Sequence, residues 1–120
     1  MSVFEKNYVV DASHIDELNH VNNVVYLQWI QDIANLHWTV LKEGHDTSSI
    51  VWVVIRHEID YFGQALLGDT ITAKTWVGKT AGIKSIRHVE FYKNGKRILN
   101  AKTFKPLRIT DEVLEMLAPK

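Results

Sequence analysis

The segment from Asn22 or Asn23 to about Lys42 constrains the fold most, because it predicts one long helix that is apolar around most of its circumference. An Asn at its start can cap the first turn, no Gly or Pro interrupts it, and Gly44 follows as a stop signal. Its polar residues form one narrow stripe, which consists of Gln28, Asp32, Asn35, Thr39 and Lys42. A helix on a flat surface needs only one apolar face, so this pattern predicts a helix that protein wraps on most sides.

Short β-favouring segments flank this helix and supply the material that can wrap it. The predicted strands are Phe4 to Val10, Ile50 to Tyr61, Thr70 to Val77, Ile83 to Tyr92 and Arg97 to Ile109. Lys79 to Gly82 and Asn94-Gly95 are predicted turns, and hairpin turns favour an antiparallel sheet. Pro106 suggests an edge position near the end of the last strand. Thr110 or Asp111 can cap a short final helix through Met116. The predicted class is α+β, with an antiparallel sheet of about five strands around one long helix.

Length and composition narrow the functional classes. The 120 residues suffice for one domain, which we expect to span residues 1–120. Fourteen basic residues balance fourteen acidic ones, so no net field favours a nucleic acid or an anionic membrane as partner. The chain has no Cys, and no stretch approaches the roughly 20 apolar residues of a membrane span. The N-terminal residues lack the apolar core of a signal peptide, so the expected location is the cytoplasm.

Two common hydrolytic chemistries lack their sequence signatures. The six His residues show no paired ligand spacing on a helix and no zinc motif, so no metal site is expected. No Gly-x-Ser-x-Gly segment indicates a serine hydrolase. The loop from Asp11 to His20, by contrast, is rich in ionisable side chains and leads directly into the predicted helix.

The segment Asp16 to Trp29 resembles the signature of hotdog proteins of the 4-hydroxybenzoyl-CoA thioesterase type. In that family an Asp precedes a His-Val-Asn-Asn-x-x-Tyr run that opens the central helix. A second stretch, from Glu58 to Asp69, resembles the family's strand and its following Leu-Gly-Asp turn. The resemblance implies a hotdog fold, an acyl-CoA substrate, no cofactor, and a homodimer or a dimer of dimers with equivalent sites at the subunit interface.

The resemblance also implies roles for five residues. Asp16 matches the catalytic Asp, acting as base or nucleophile, and the backbone N–H near Asn23 would polarise the thioester carbonyl at the positive end of the helix. His20 would orient Asp16, contact substrate or tune the local pKa, while Asn22 and Tyr26 would contact substrate. Each residue also has a structural explanation: Asp16 as a turn cap, His20 as a structural donor, the two Asn residues as helix caps and Tyr26 as a core aromatic.

Several alternatives stay open at this point. Other thioesterases of this fold place the carboxylate on the helix about two turns beyond the polarising amide, where this chain has Gln31. Its neighbour Asp32 belongs to the polar stripe and is interpreted as a solvated residue. Three basic residues that could meet coenzyme A phosphates, Lys79, Lys84 and Arg87, are left outside the predicted site. A hotdog fold would also suit a non-catalytic acyl-binding protein, an acyl carrier protein thioesterase or a dehydratase, and these remain the alternatives.

Overall fold

The computed structural model describes residues 3–45, 54, 56–81 and 84–106, without the side chains of residues 79–81, 84 and 106. The elements are β1 (Phe4–Val9), α1 (Asn23–Leu41), β2 (Arg56–Tyr61), β3 (Thr70–Ala81), β4 (Lys84–Lys93) and β5 (Lys96–Pro106). Most of the predicted start of β2 at residues 50–55 and the predicted final helix through Met116 lie outside the described residues.

The five strands form one antiparallel sheet in the order β1-β3-β4-β5-β2. The predicted fold class is therefore confirmed: one long helix packs against a five-stranded antiparallel sheet, as in a hotdog fold. Strand β5 lies between β4 and β2, so Pro106 does not mark an edge strand. The pairing of β5 with the described part of β2 ends at Phe104, which lies opposite Arg56. Within the described residues, Pro106 pairs only with Lys84 of β4.

Local signals determine both ends of α1, as predicted. At the start, the Asn22 side-chain oxygen accepts a hydrogen bond from the Val24 backbone N–H over 3.0 Å, which is the expected geometry of an N-cap. At the end, Lys42 follows Leu41 as the C-cap, and Gly44 adopts a left-handed φ of 79°. Only glycine reaches this backbone conformation without steric cost, so the chain leaves the helix there.

The helix covers the concave side of the sheet with one broad face. The buried helix residues are Val25, Tyr26, Trp29, Ile30, Ile33, Ala34, His37 and Leu41. They pack on inward-facing residues of the strands, among them Ile71, Val89 and Phe91, which have no exposed surface. Val24 and Val40 on the opposite side remain 59% and 50% exposed. The single chain thus covers less of the helix than the all-round apolar pattern predicts.

Candidate active site

The loop that leads into α1 folds back on itself as a small hairpin. Ile15 and Val21 form a β-bridge, and the Asp16 backbone N–H donates to the His20 carbonyl oxygen over 2.9 Å. The reverse turn places Asn19 at a left-handed φ of 61°, a conformation that Asn tolerates better than most residues. This hairpin holds Asp16 and His20 opposite one another, immediately before the first turn of the helix.

The Asp16 carboxylate stabilises this turn with one of its oxygens. Its Oδ1 accepts hydrogen bonds from the backbone N–H groups of Leu18, at 2.9 Å, and His20, at 3.4 Å. The turn-capping role that the sequence offers as a structural explanation is therefore real. Within the described part of the chain Oδ2 has no hydrogen-bond partner, so the turn fixes the carboxylate while one oxygen keeps its lone pairs available.

A cleft of about 240 Å³ lies at this place. Asp16, His20, Asn22 and Asn23 line it from the hairpin and the helix start, and Gln64 lines it from the connection between β2 and β3. The two sides are joined by a β-bridge between His20 and Leu66 and by the Val21 N–H, which donates to the Ala65 carbonyl oxygen over 3.0 Å. The predicted carboxylate and the predicted helix start therefore border the same concave surface.

The first backbone amides of α1 differ in whether they already donate a hydrogen bond. Val24 donates to the Asn22 side chain, and the Val25 N–H donates to the Asn22 carbonyl oxygen over 2.8 Å. The Asn23 N–H, at the first helical position, donates to no acceptor in the described ranges. Because the dipole of the helix is positive at this end, the Asn23 amide is a donor well suited to an oxygen that carries negative charge.

The predicted site residues thus come together with one exception. Asp16, His20, Asn22 and Asn23 all line the cleft, although the Asn22 side chain is occupied as the helix cap. Tyr26 does not line it: the residue is 1% exposed, and its hydroxyl oxygen accepts a hydrogen bond from the Ala65 N–H over 3.0 Å. Tyr26 therefore holds the Gln64 side of the cleft in place from the core.

The structure adds Gln64 to the site, and the sequence offers little that would single it out. Gln64 follows Gly63 in the connection that ends at Gly68, and its distance from Asp16 along the chain gives no hint of their proximity. The cleft also has an exposed apolar neighbourhood, since Leu18 and Leu66 are 72% and 41% exposed. A substrate with both polar and apolar parts would find matching surfaces there.

Two charged residues considered from the sequence lie elsewhere. Asp32 accepts hydrogen bonds from Lys6 Nζ, at 3.1 Å, and from the Tyr8 hydroxyl, so it is fixed to β1 rather than merely solvated. The bond from Tyr8 is the main reason that the pKa of Asp32 is lowered. Arg87 is only 6% exposed and points into the concave side of the sheet, so it is not a surface cation for coenzyme A phosphates.

The described residues contain no group of three or more His, Asp or Glu side chains placed to hold a metal ion. Across the same ranges, no helix combines the length and the apolar character needed to cross a bilayer.

Comparisons with known proteins agree on one fold. The solved structures that match include a predicted thioesterase from Bacillus stearothermophilus, with 19% identity, a TM-score of 0.83 and coverage of 97% of this chain and 94% of the other. A thioesterase from Thermus thermophilus, complexed with coenzyme A and Zn, matches with 21% identity, a TM-score of 0.81 and coverage of 96% and 97%. A mutant 4-hydroxybenzoyl CoA thioesterase complexed with 4-hydroxybenzoyl CoA matches with 9% identity, a TM-score of 0.84 and coverage of 97% and 99%.

A search of curated protein sequences finds no match. The family model of the thioesterase superfamily, however, matches residues 18–99, which is more than half of the chain and includes the helix, the strands β2, β3 and β4, and the start of β5. The match begins two residues after Asp16, so the catalytic role of Asp16 does not follow from it. By this match the chain belongs to the thioesterase superfamily.

Proposed function

We propose that the protein hydrolyses an acyl-CoA thioester to the free acid and coenzyme A in the cleft at the start of α1. The observation that carries this proposal is the pairing, around one cleft, of the unused Asn23 amide with a carboxylate whose Oδ2 is unpaired in the described chain. Hydrolysis of a thioester needs both groups: a donor for the carbonyl oxygen and a carboxylate for the attacking atom.

The Asn23 amide would bind the thioester oxygen, which gains negative charge as the carbonyl carbon becomes tetrahedral. A fixed donor of this kind typically contributes about 3 to 4 kcal/mol to transition-state stabilisation. The positive end of the helix dipole adds to this stabilisation. The backbone donor is also already in place, so it needs no reorganisation when the charge develops. The Asn22 cap matters here because it removes the Val24 amide from use and leaves the Asn23 amide as the donor.

Asp16 would supply the attacking atom by one of two routes. As a base, it takes a proton from water, the hydroxide adds to the carbonyl carbon, and the C–S bond breaks as the proton passes to the departing thiolate. As a nucleophile, Oδ2 adds to the carbonyl carbon, the thiolate leaves, and water then cleaves the mixed anhydride. Both routes need the ionised carboxylate with Oδ2 directed at the substrate.

The remaining residues would position these groups. His20 lines the cleft, and its backbone N–H donates to the Asp16 carboxylate, so it would hold Asp16 and contact the substrate. Asn22 would act through the helix cap, and Tyr26 through its hydrogen bond to Ala65. Coenzyme A is the carrier we favour, since the Thermus thermophilus relative is complexed with coenzyme A and the 4-hydroxybenzoyl CoA thioesterase mutant with its acyl-CoA.

The decisive experiment replaces Asp16 with Asn, because the amide keeps the shape and an oxygen for the turn but loses the charge. We expect release of free thiol from acyl-CoA substrates to fall about a thousandfold or more, with an unchanged circular dichroism spectrum. Glu17→Gln is the matched control, since Glu17 is the adjacent, exposed carboxylate. Wild-type turnover in Asp16→Asn would refute the role of Asp16. If wild-type protein binds acyl-CoA but releases no thiol from any of them, it is an acyl-binding protein instead.

The same proposal includes a homodimer formed through β2. This strand ends the described sheet, and edge strands present unpaired backbone groups that invite a second chain. Exposed apolar side chains lie at its end, since Tyr61, its last residue, and the next residue, Phe62, are 43% and 54% exposed. Sedimentation equilibrium should give at least twice the chain mass of 13.8 kDa. A mass equal to that of one chain at micromolar concentration would refute this part.

A further inference from the structure

The cleft at the start of α1 has two walls, and among the described residues Gln64 alone lines the second. The other lining residues lie between Asp16 and Asn23, in the hairpin and the first turn of the helix. The Gln64 side chain is exposed and forms no hydrogen bond within the described ranges. Its amide therefore keeps an acceptor oxygen and two N–H donors available to a molecule in the cleft.

The backbone around Gln64 is fixed by three separate parts of the fold. From β4, Lys93 Nζ donates to the Gln64 carbonyl oxygen over 3.3 Å. From α1, the Tyr26 hydroxyl accepts a hydrogen bond from the N–H of the next residue, Ala65, over 3.0 Å. From the hairpin, the Val21 N–H donates to the Ala65 carbonyl oxygen over 3.0 Å. Because the backbone is already held, little of its freedom is lost when the Gln64 side chain binds a ligand.

The cleft is small and mostly polar. Its volume of about 240 Å³ lies below the roughly 300 to 1,000 Å³ of pockets that enclose a whole small ligand. It therefore accommodates the thioester and the groups next to it, but not a complete acyl-CoA. Five of its seven lining residues are polar, and the two apolar ones are Leu18 and Val21, of which Val21 is buried. Such a lining suits hydrogen-bonding groups of the thiol carrier better than a hydrocarbon chain.

Gln64 lies where this cleft meets a second cavity, which has a volume of about 390 Å³. The second cavity is lined by Gly63, Gln64, Lys93, Asn94, Lys96 and Ile98. Asp16 and Asn23 line the first cleft but not the second cavity, so Gln64 links the reacting groups to the larger space. A carrier arm that extends from the thioester into this space passes the Gln64 side chain.

The thiol of coenzyme A carries a hydrogen-bonding group close to its sulfur. Two methylene groups follow the sulfur, and the next atom is the nitrogen of a secondary amide, whose N–H is a donor. We propose that the Gln64 side-chain oxygen accepts a hydrogen bond from this N–H and so makes the protein prefer thioesters of amide-bearing thiols to other thioesters. Gln64 would hold the thiol side of the substrate while the Asn23 amide holds the carbonyl oxygen.

The kinetic signature of this contact differs from that of a catalytic group. The inference rests on the proposed function, since it takes the thioester carbonyl to be held at the Asn23 amide. The amide N–H of the arm does not change when the carbonyl carbon becomes tetrahedral, so Gln64 would bind substrate and transition state alike. Loss of the contact should therefore raise KM and leave kcat within about twofold of wild type. A fall in kcat at unchanged KM would contradict the contact.

The test compares two small thioesters of the same acyl group. The thiol is N-acetylcysteamine in one and 2-mercaptoethyl acetate in the other, which keeps the length and replaces the amide N–H with an ester oxygen. We expect wild type to hydrolyse the amide-bearing thioester with a kcat/KM at least about fivefold higher. Gln64→Met, which keeps the side-chain length and removes its polar atoms, should reduce this preference to less than about twofold. Gln28→Ala should keep it, because Gln28 is an exposed glutamine of α1 that lines neither cavity.

A binding measurement separates this inference from the proposed reaction. Calorimetric Kd values for an acyl-CoA are compared between Asp16→Asn and the double variant Asp16→Asn/Gln64→Met, and we expect the double variant to bind at least about fivefold more weakly. Equal Kd values would overturn the inference, and so would a preference for the amide that survives Gln64→Met. The Kd values decide this even if wild type releases no thiol, a result that would refute only the proposed reaction.

The phosphopantetheine group of an acyl carrier protein presents the same amide, so the two carriers are compared with the same acyl group. The kcat/KM values of wild type identify the preferred carrier, which is coenzyme A by the proposed function. Gln64→Met should lower kcat/KM for the preferred carrier at least about fivefold. An unchanged value for that carrier would overturn the role of Gln64.

Discussion

The Arg87 guanidinium donates a hydrogen bond to Nδ1 of His37 over 2.7 Å, and both side chains are almost completely buried. Because arginine has no acceptor, Nδ1 must accept, and the His37 ring is neutral. Phe4 stacks on this ring with the centroids 5.4 Å apart, and Thr75 Oγ1 receives a second hydrogen bond from Arg87 over 3.2 Å. The arrangement makes protonation of His37 costly in the folded state.

Stability should consequently depend on pH in the weakly acidic range. Burial, assisted by the Arg87 cation, lowers the pKa of His37 from 6.5 to about 4. Below pH 6.5 the unfolded chain takes up a proton that the folded chain binds only near pH 4, so the free energy of unfolding falls as the pH is lowered between these values. The full loss corresponds to about 3 kcal/mol. Urea unfolding curves at pH 7.5, 5.5 and 4.5 measure it.

The variant His37→Gln isolates this contribution, because glutamine can still accept from Arg87 but does not titrate. Burial lowers the pKa of His57 and His88 as well, so some dependence on pH should persist in the variant. The difference in the free energy of unfolding between wild type and His37→Gln should therefore shrink toward low pH. If wild type and His37→Gln lose stability in parallel between pH 6.5 and 4, His37 is not the responsible group.

Tyr26→Phe should disturb the Gln64 side of the cleft, because Tyr26 holds the neighbouring Ala65 from the core. The change removes the acceptor of the Ala65 N–H, and a buried donor left unpaired costs about 1 to 3 kcal/mol. We expect a lower melting temperature and a fall of several-fold in kcat/KM, since Ala65 adjoins Gln64. Tyr61→Phe is the control: its ring centroid lies 5.8 Å from that of Tyr26, but its hydroxyl has no hydrogen bond within the described residues. Equal effects of the two substitutions would contradict the positioning role.

Asn22 offers a substitution that separates stability from catalysis. Asn22→Ala removes the cap of the Val24 amide and should cost about 1 kcal/mol of unfolding free energy. Asn22→Asp keeps the cap and its favourable interaction with the helix dipole, so the fold should be as stable as wild type. Its negative charge, however, would lie beside the Asn23 amide, where the oxyanion forms. We expect kcat to fall at least about tenfold in Asn22→Asp. Thermal unfolding and thiol release on both variants test the pair of expectations.

The helix and the nearness of Asp16 to its start were predictable because their signals are local. The Asn cap, the Gly44 stop and the position of Asp16 a few residues ahead all lie within one stretch of sequence, and short loops keep such residues close in space. Arg87 illustrates a signal that was present but easily missed. In β4 it alternates with Val89 and Phe91, and this period of two predicts that it points inward with them.

The strand order and the second wall of the cleft depend on pairing between distant segments. Nothing local indicates that β1 lies beside β3 or that β2 lies beside β5, because such pairings are decided by the twist and closure of the whole sheet. Gln64 joins the cleft, and His57 joins Thr103, only through this arrangement. One side of the candidate cleft could thus be placed from the sequence, while its second wall could not.

Asp32→Asn finally tests whether the carboxylate on the helix takes part in turnover. Its pKa is lowered chiefly by the Tyr8 hydroxyl, so the stability it contributes is present above its ordinary value of 3.8 and lost as the pH falls below it. At pH 7 the substitution should cost about 1 kcal/mol of unfolding free energy, because it weakens the bonds from Lys6 and Tyr8. It should leave kcat within about twofold of wild type, since Asp32 does not line the cleft. A loss of turnover comparable to that of Asp16→Asn, in a protein that is still folded, would assign the chemistry to the helix carboxylate and contradict the loop assignment.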